Sequence, residues 1–498
     1  MPDYDVIVIG AGCGGITAGA LLAGQGRKVL VLEQADRVGG CCSTYEREGY
    51  RFDVGATILE LIAPIETAFQ MLGTTFRDEV DLEPCDPVYN VIFEDGSRLT
   101  YPSSIEAKAE IISRISPEDG KSWMEYARYF HGFLDTVMSG FYVSPANNMT
   151  DMTRMLLKAP RLLAYSPLFV QNFEDVIRKF FKNEKVQQSI YYPGFFCGLP
   201  PALAPGMFGF LSYSEHEGVW YPRGGMIKIA EALQRCGERF GLEVRTGQRV
   251  EKVMVRGRRA EGVALADGTE VTAPVIISNI NAKTLYLEKI GEEHLPWLAR
   301  VGVKSYRLSA TAPMINVGLD YRPPLDAHHT VLTTPMEKLN DYWFGKMEKG
   351  LLPESQFGLA CFPTFSDPSM APKGHHVLNI ILAGPYHLDQ MDWDRDRQAY
   401  GERQLEMLSE SLIPGLADHV QVMDVATPRE YERRLLMPEG AFLGLDMDLT
   451  ASTVFRPAAR SRSIKGLYLA GGSTHPGGGV PTVISSGIIA ANLVDRYE

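Results

Sequence analysis

A chain of 498 residues is long enough for two or three domains around a large core, and 45% hydrophobic and 22% charged residues is a globular composition. Forty-nine basic against 61 acidic residues give a net charge of −12, which argues against a general nucleic-acid binder. Seven scattered cysteines with no C-x-x-C exclude a dithiol centre or zinc knuckle, and no apolar run reaches the roughly 18 residues of a spanning helix. The N-terminus enters a strand at once, leaving no room for a signal peptide. The expected location is cytoplasmic, either free or peripheral on a membrane.

Val6 to Ile9 is a β-branched apolar run, a strand buried on both faces. It ends in Gly10-Ala-Gly12-Cys13-Gly14-Gly15, a G-x-G-x-x-G, and small and apolar residues then continue at helical spacing to Ala23. Lys28 to Leu32 is a second strand that ends at Glu33. Gly10 allows a tight turn, Gly12 lets backbone N–H groups approach a pyrophosphate, and Gly15 lets helix and strand pack closely. Glu33, eighteen residues past Gly15, stands where a carboxylate accepts hydrogen bonds from an adenosine ribose. Strand, glycines, helix, strand and acid in that order specify a dinucleotide site. No second G-x-G-x-x-G follows, so a separate nicotinamide site is not expected.

After Gln34 the pair Gly39-Gly40 opens a second backbone approach to the ligand, and Gly55-Ala56-Thr57 a third. Arg37-Val-Gly-Gly40 followed by Phe52-Asp-Val-Gly55 resembles a flavoprotein superfamily that includes amine oxidases and carotenoid desaturases. That resemblance implies FAD, with these loops along its pyrophosphate and isoalloxazine. It carries over to Gly10, Gly12, Cys13, Gly14, Gly15, Glu33, Gln34, Arg37, Gly39, Gly40, Cys41, Cys42, Gly55, Ala56 and Thr57. Adjacent cysteines make a poor disulfide, so Cys41 and Cys42 are read as small residues packed against the cofactor.

From residue 60 to 215 the α/β alternation is lost. Val88 to Tyr101 looks like a hairpin turning at Glu94 to Ser97, and helical periodicity dominates from Ser104 to about Lys185. Within it, Asp151 to Lys185 combines apolar residues with seven basic and four acidic ones, a local charge of +3. That pattern suits either a monotopic membrane contact or an amphipathic layer over a core. Alternation returns at Trp220-Tyr-Pro-Arg-Gly-Gly225, with a helix over Met226 to Phe240 and strands at Gly241 to Arg245, Val250 to Val255, Gly262 to Leu265 and Pro274 to Ser278. Trp220 to Asn281 resembles the superfamily's second FAD-binding segment, in which Val250 would meet the adenine through its main chain.

Residues 290 to 430 are mixed, with strands expected at Met314 to Leu319 and His376 to Leu382 and a loop from Pro363 to His375. His328, His329, His375, His376 and His387 show no metal spacing and are expected on surfaces or loops. Leu467 to Ala470 is a further buried strand. Gly471 to Gly479 is a glycine loop, and a helix of small and apolar residues runs from Thr482 to Val494. A glycine loop feeding a helix N-terminus stabilises negative charge, and Gly471, Gly472, Gly479, Val480, Pro481 and Thr482 are assigned to the cofactor.

Leu467 to Pro481, L-Y-L-x-G-x-x-T-H-P-G-x-G-V-P, resembles the signature of the phytoene desaturase family, which also contains carotenoid cis–trans isomerases and retinol saturases. Phe455-Arg-Pro457, Asp367-Pro-Ser-Met-Ala-Pro372 and Tyr221-Pro-Arg-Gly-Gly225 fit it as well, whereas Cys41-Cys42 replaces the basic residue usual after Gly-Gly in bacterial phytoene desaturases. The resemblance implies an α/β fold: a Rossmann-like FAD-binding domain of the amine-oxidase and GDP-dissociation-inhibitor type, with a discontinuous α+β substrate domain. The expected division is 1–85, 216–290 and 430–498 for FAD, and 86–215 and 291–429 for substrate. The implied activity is dehydrogenation of a long apolar polyisoprenoid or carotenoid by hydride transfer to flavin N5. The alternatives are an isomerase working with reduced FAD, a C=C saturase, or a prenyl-lipid-binding protein without flavin chemistry. Quinone or oxygen is the implied electron acceptor, and no metal is called for. His475, in the glycine loop, is the acid/base candidate, and Arg456 a candidate for polar groups of flavin or substrate.

Overall fold

The computed structural model describes residues 2–138, 142–145, 148–192 and 197–498. The expected helical stretch from 104 to 185 therefore includes positions 139–141 and 146–147, which lie outside the described residues.

A five-stranded parallel sheet runs in the order Leu467–Leu469, Val275–Ser278, Val6–Ile9, Val29–Leu32, Glu243–Arg245. Its three central strands are wholly buried, as their unbroken apolar runs demand. The strand that follows Val6–Ile9 lies on one side of it and Val275–Ser278 on the other, so the connections diverge there. At such a switch point a crevice opens beyond the carboxyl ends of the strands. Helix Cys13–Gly24 starts at this point and packs against Ile227–Glu238 and Val480–Tyr497. A three-stranded antiparallel sheet, Val250–Arg256, Arg259–Leu265 and Glu270–Thr272, flanks it.

The second large sheet has seven strands, ordered Val420–Ala426, Met314–Leu319, His376–Leu382, Gly358–Cys361, His329–Leu332, Tyr89–Ile92, Arg98–Tyr101. The hairpin expected around Glu94 to Ser97 is present. Its first strand joins the sheet by pairing in parallel with His329–Leu332, more than two hundred residues away. The helices Ile105–Ile115, Pro117–Met138, Met149–Lys158, Phe173–Phe180 and Glu184–Tyr191 form a separate layer. Pro160–Phe169 is a 3₁₀ stretch containing Pro167. Inside the expected loop from Pro363 to His375 there are short helical turns at Pro363–Ser366 and Pro368–Met370.

Two motifs far apart in sequence meet at a buried carboxylate. Asp53 accepts hydrogen bonds from Thr44 Oγ1 and Tyr221 OH, both at 2.6 Å, and from the Met226 amide at 2.9 Å. Asp367 likewise accepts from the Gly224 amide at 2.6 Å. The Phe52-Asp-Val-Gly and Tyr-Pro-Arg-Gly-Gly runs are thus the two halves of one joint. Burial, opposed by these bonds, pushes the Asp53 carboxyl up to about 6.

Candidate active site

The glycines of the first loop are demanded by its neighbours as much as by any ligand. Gly10 has φ +91° and Gly39 +105°, conformations that L side chains rarely adopt. A Cβ on Gly15 would overlap the Gly10 carbonyl oxygen. A Cβ on Gly12 would stand 2.5 Å from Asn279 Nδ2, and one on Gly14 2.8 Å from the Gly471 amide nitrogen. Asn279 follows strand Val275–Ser278, and its amide fills the space between the first glycine loop and Gly471. The Gly471 amide in turn donates to Ser486 Oγ at 2.7 Å.

These loops border one cavity of about 430 Å³. Gly10, Gly12, Cys13, Gly14, Glu33, Gln34, Gly39, Gly40, Cys41, Cys42, Gly55, Ala56, Thr57, Val250, Gly471, Gly472, Gly479, Val480, Pro481, Thr482 and His475 all line it. Two expected cofactor residues do not. Gly15 is buried under the turn, and Arg37 points outward to Asp36 at 2.8 Å while donating to the Thr44 carbonyl. The cavity continues into an apolar chamber bordered by Ile58 from the loop after Thr57 and by Phe133, Val137, Phe169, Phe208 and Phe210 from the helical region.

Glu33 is 8% exposed and accepts from the amides of Ala11 at 2.7 Å and Ala35 at 2.9 Å, which fixes its carboxylate at the cavity wall. Burial raises its pKa, and those amides oppose the rise. Val250 is a buried strand residue on the same wall, beside Gln248. Burial pushes the Cys41 thiol up to about 12, and Cys42 is raised by its contact with Cys13 and by burial. Both stay protonated, which suits packing and not thiolate chemistry.

Arg456 does not reach into the cavity for a ligand. Its guanidinium donates to the carbonyls of Asp446 at 2.7 Å, Thr474 and Ala451 at 3.2 Å, Leu445 and Gly472, and so clamps the glycine loop from behind. His475 is 4% exposed and lies in that clamped loop.

Three features were not evident from sequence. Asn279 has no motif of its own. The segment Arg434 to Met437 with Phe442 to Gly444 lines the cavity yet carries no glycine fingerprint or charge pattern. His328 and His329, expected on a surface or loop, are wholly buried because strand His329–Leu332 is central in its sheet. Their ring nitrogens and Cys361 Sγ gather within 4.8 Å of one another, a grouping invisible in the spacing since Cys361 lies on the neighbouring strand. His328 Nε2 lies 3.3 Å from Cys361 Sγ and its Nδ1 2.8 Å from Ser366 Oγ, while His329 Nε2 meets Thr57 Oγ1 at 3.2 Å. Burial depresses both imidazoles, His328 to about 3, so they brace the Thr57 loop as neutral rings.

A parallel sheet whose switch point is ringed by glycine loops and two helix N-termini defines a dinucleotide-binding oxidoreductase. The model of the flavin-containing amine oxidoreductase family matches residues 13–495. The neurosporene-forming phytoene desaturase of Rhodobacter capsulatus is 31% identical over 98% of this chain and 93% of its own. The zeta-carotene-forming phytoene desaturase of Myxococcus xanthus is 28% identical over 98% and 92%. An oxidoreductase of Methanosarcina mazei shares the fold, with a TM-score of 0.65 at 18% identity over 99% of both chains. The chain belongs to the flavin-containing amine oxidoreductase family. It is an FAD-dependent oxidoreductase.

Proposed function

We propose that the protein desaturates a long apolar polyisoprenoid or carotenoid. The observation that carries this is the continuity of the glycine-lined crevice with a chamber walled by aromatic and aliphatic side chains. Such a chamber orients an unfunctionalised chain by shape and exclusion of water, and the chain's polyene relatives among the desaturases support the same reading. FAD supplies hydride acceptance at its flavin ring.

In this reading Gly10, Gly12 and Gly14 present main-chain amides to the pyrophosphate, together with the N-terminus of helix Cys13–Gly24. Glu33 takes the ribose and Val250 the adenine. Gly39 to Cys42 and Gly55 to Thr57 would hold the flavin, while Gly471, Gly472 and Gly479 to Thr482, at the start of helix Val480–Tyr497, would stabilise negative charge on it. His475 enters as a proton-transfer candidate in that loop. The cofactor domain comprises 1–85, 216–290 and 430–498, and the substrate domain 86–215 and 291–429.

Substrate enters from a membrane surface in this reading, and quinone or oxygen takes the electrons. Among the described residues no helix is long and apolar enough to cross a membrane. Along Met149–Lys158 and Pro160–Phe169 one face is buried through Met155, Leu162 and Leu168. Leu157, Leu163 and Val170 stand 77%, 62% and 77% exposed beside Lys158 and Arg161, an arrangement suited to an anionic bilayer surface. Anaerobic incubation of the FAD-loaded protein with phytoene in liposomes should bleach the flavin and yield a product lighter by about two mass units. Unchanged mass with altered double-bond geometry would instead identify an isomerase. Leu157→Glu combined with Leu163→Glu should abolish co-sedimentation with anionic liposomes while leaving FAD content intact.

A further inference from the structure

The apolar chamber holds one carboxyl group that none of the loops above accounts for. Glu60 follows the Gly55-Ala56-Thr57 run and lines the cavity next to Ile58 and Leu61. Its Oε2 accepts a hydrogen bond from the buried Ser214 hydroxyl at 2.9 Å. Behind it lies a second acid, Glu215, whose Oε2 is 3.5 Å from Lys108 Nζ, with both side chains essentially inaccessible. The charge of Glu60 in turn raises Cys197 and Tyr89, and Tyr142 lies next to Cys197 in the cavity wall.

Position separates the two acids: burial raises both carboxyls, but Glu215 is sealed in beside Lys108 whereas Glu60 lines the cavity. The cluster has two carboxyl groups and one cation, and Lys108 is committed: it contacts Glu215, donates to Tyr89 OH at 2.8 Å, and sits 4.2 Å above the Trp123 ring. Glu60 is left with a neutral hydroxyl and a wall of apolar side chains. A carboxyl so placed exchanges its proton near neutrality: burial pushes Glu60 up to about 7, while Ser214 and the field of Lys108 hold it from going higher. Glu33, the other carboxylate in the cavity wall, belongs to the crevice around the first glycine loop.

We propose that Glu60 is the catalytic base of the chamber, receiving the proton that desaturation removes from the polyene. This rests on the desaturase reading above. Converting a CH–CH unit into C=C removes a hydride from one carbon and a proton from its neighbour. The hydride departs with its electron pair, a two-electron reduction of FAD. The neighbouring C–H bond breaks toward carbon, its electron pair becomes the new π bond, and its proton bonds to a Glu60 carboxylate oxygen. That oxygen later loses the proton to water, and quinone or oxygen reoxidises the flavin. Ser214 is a positioning residue, holding one oxygen so that the other faces the substrate.

The test uses the FAD-loaded full chain as wild type, Glu60→Gln, Ser214→Ala and His475→Ala. In substrate-free protein, infrared difference spectra should show one carboxyl that titrates near pH 7, is missing in Glu60→Gln, and moves to higher pH in Ser214→Ala. With phytoene in liposomes under anaerobic conditions, flavin reduction in the wild type should accelerate as pH rises through that titration. Glu60→Gln should lose about 100-fold or more in that rate and lose the pH limb, with polyene affinity changed less than about threefold. Absence of a Glu60-dependent carboxyl titration near neutrality overturns the inference. So does a Glu60→Gln variant that keeps the pH limb while His475→Ala loses it. If no polyene reduces the wild-type flavin although the infrared titration is present, the desaturase reading fails and Glu60 remains the chamber's proton-exchanging group.

Discussion

The two walls of the cavity are built on opposite principles. The crevice at the switch point is made of backbone, where glycines in positive-φ turns and closely packed helix starts leave no room for a Cβ. The chamber is made of side chains delivered by elements distant in sequence, and among the described residues its carboxyl group, Glu60, is backed by a buried cluster around Lys108. The backbone crevice is intolerant of added atoms, and its helix starts favour negative charge. The chamber tolerates volume changes and is sensitive to how its few charges are balanced.

Gly15→Ala should give the largest effect. Its Cβ would overlap the Gly10 carbonyl oxygen, and neither backbone can move without displacing the sheet, so about 4 kcal/mol of stability and most bound FAD should be lost. Thermal unfolding and flavin stoichiometry measure both, and a stable, yellow Gly15→Ala protein would break the comparison. Next, Lys108→Met should cost about 3 kcal/mol in urea unfolding, because Glu215 Oε1 already lacks a partner and Oε2 would lose its cation. The double variant Lys108→Met/Glu215→Leu should recover much of that loss, as no equivalent rescue exists for Gly15.

Asp53 joins the two halves and should contribute its own pH effect. Its folded carboxyl lies at about 6, above the ordinary 3.8, so the folded state holds the proton more tightly. Its contribution therefore favours folding most at low pH and declines as pH rises from about 4 to 6. About 3 kcal/mol is expected, at roughly 1.4 kcal/mol per pK unit over the rise from 3.8 to about 6. Asp53→Asn should remove that decline from stability curves taken across this range. Smallest of all, Cys41→Ser should leave FAD content unchanged and turnover within about twofold, since the thiol is held protonated and serves only to fill space. A large loss of turnover would assign it chemistry.

The contrast also explains what could be read from the sequence. Glycine turns are local: Gly10 to Gly15 and Gly471 to Gly479 announce their geometry because few other residues can adopt it, and strands such as Met314–Leu319 announce themselves by burial. Phe133, Phe169 and Phe210 look like any core positions on amphipathic helices, and nothing in their spacing says that they face a cavity. Glu60 lies five residues past Gly55, yet its meaning depends on Ser214 and Lys108 arriving from elsewhere. Arg456 stands in a recognisable Phe-Arg-Pro run, but its task of holding five carbonyls is a property of the folded loop. His328 and His329, expected on surfaces or loops, are buried because the central place of their strand is a tertiary fact.

The strand order has a consequence for how the protein is made. Val6–Ile9 is flanked on one side by residues 275–278, and they in turn by 467–469. The first glycine loop waits for helix Val480–Tyr497 to cover it. At about 5–20 residues per second of synthesis, roughly 25–100 s separate these pieces. For that interval the nascent chain carries an apolar helix and an unpaired sheet edge that must be kept from wrong partners. Cofactor uptake is therefore a late event, and ribosome-stalled chains that stop before residue 467 should take up no flavin.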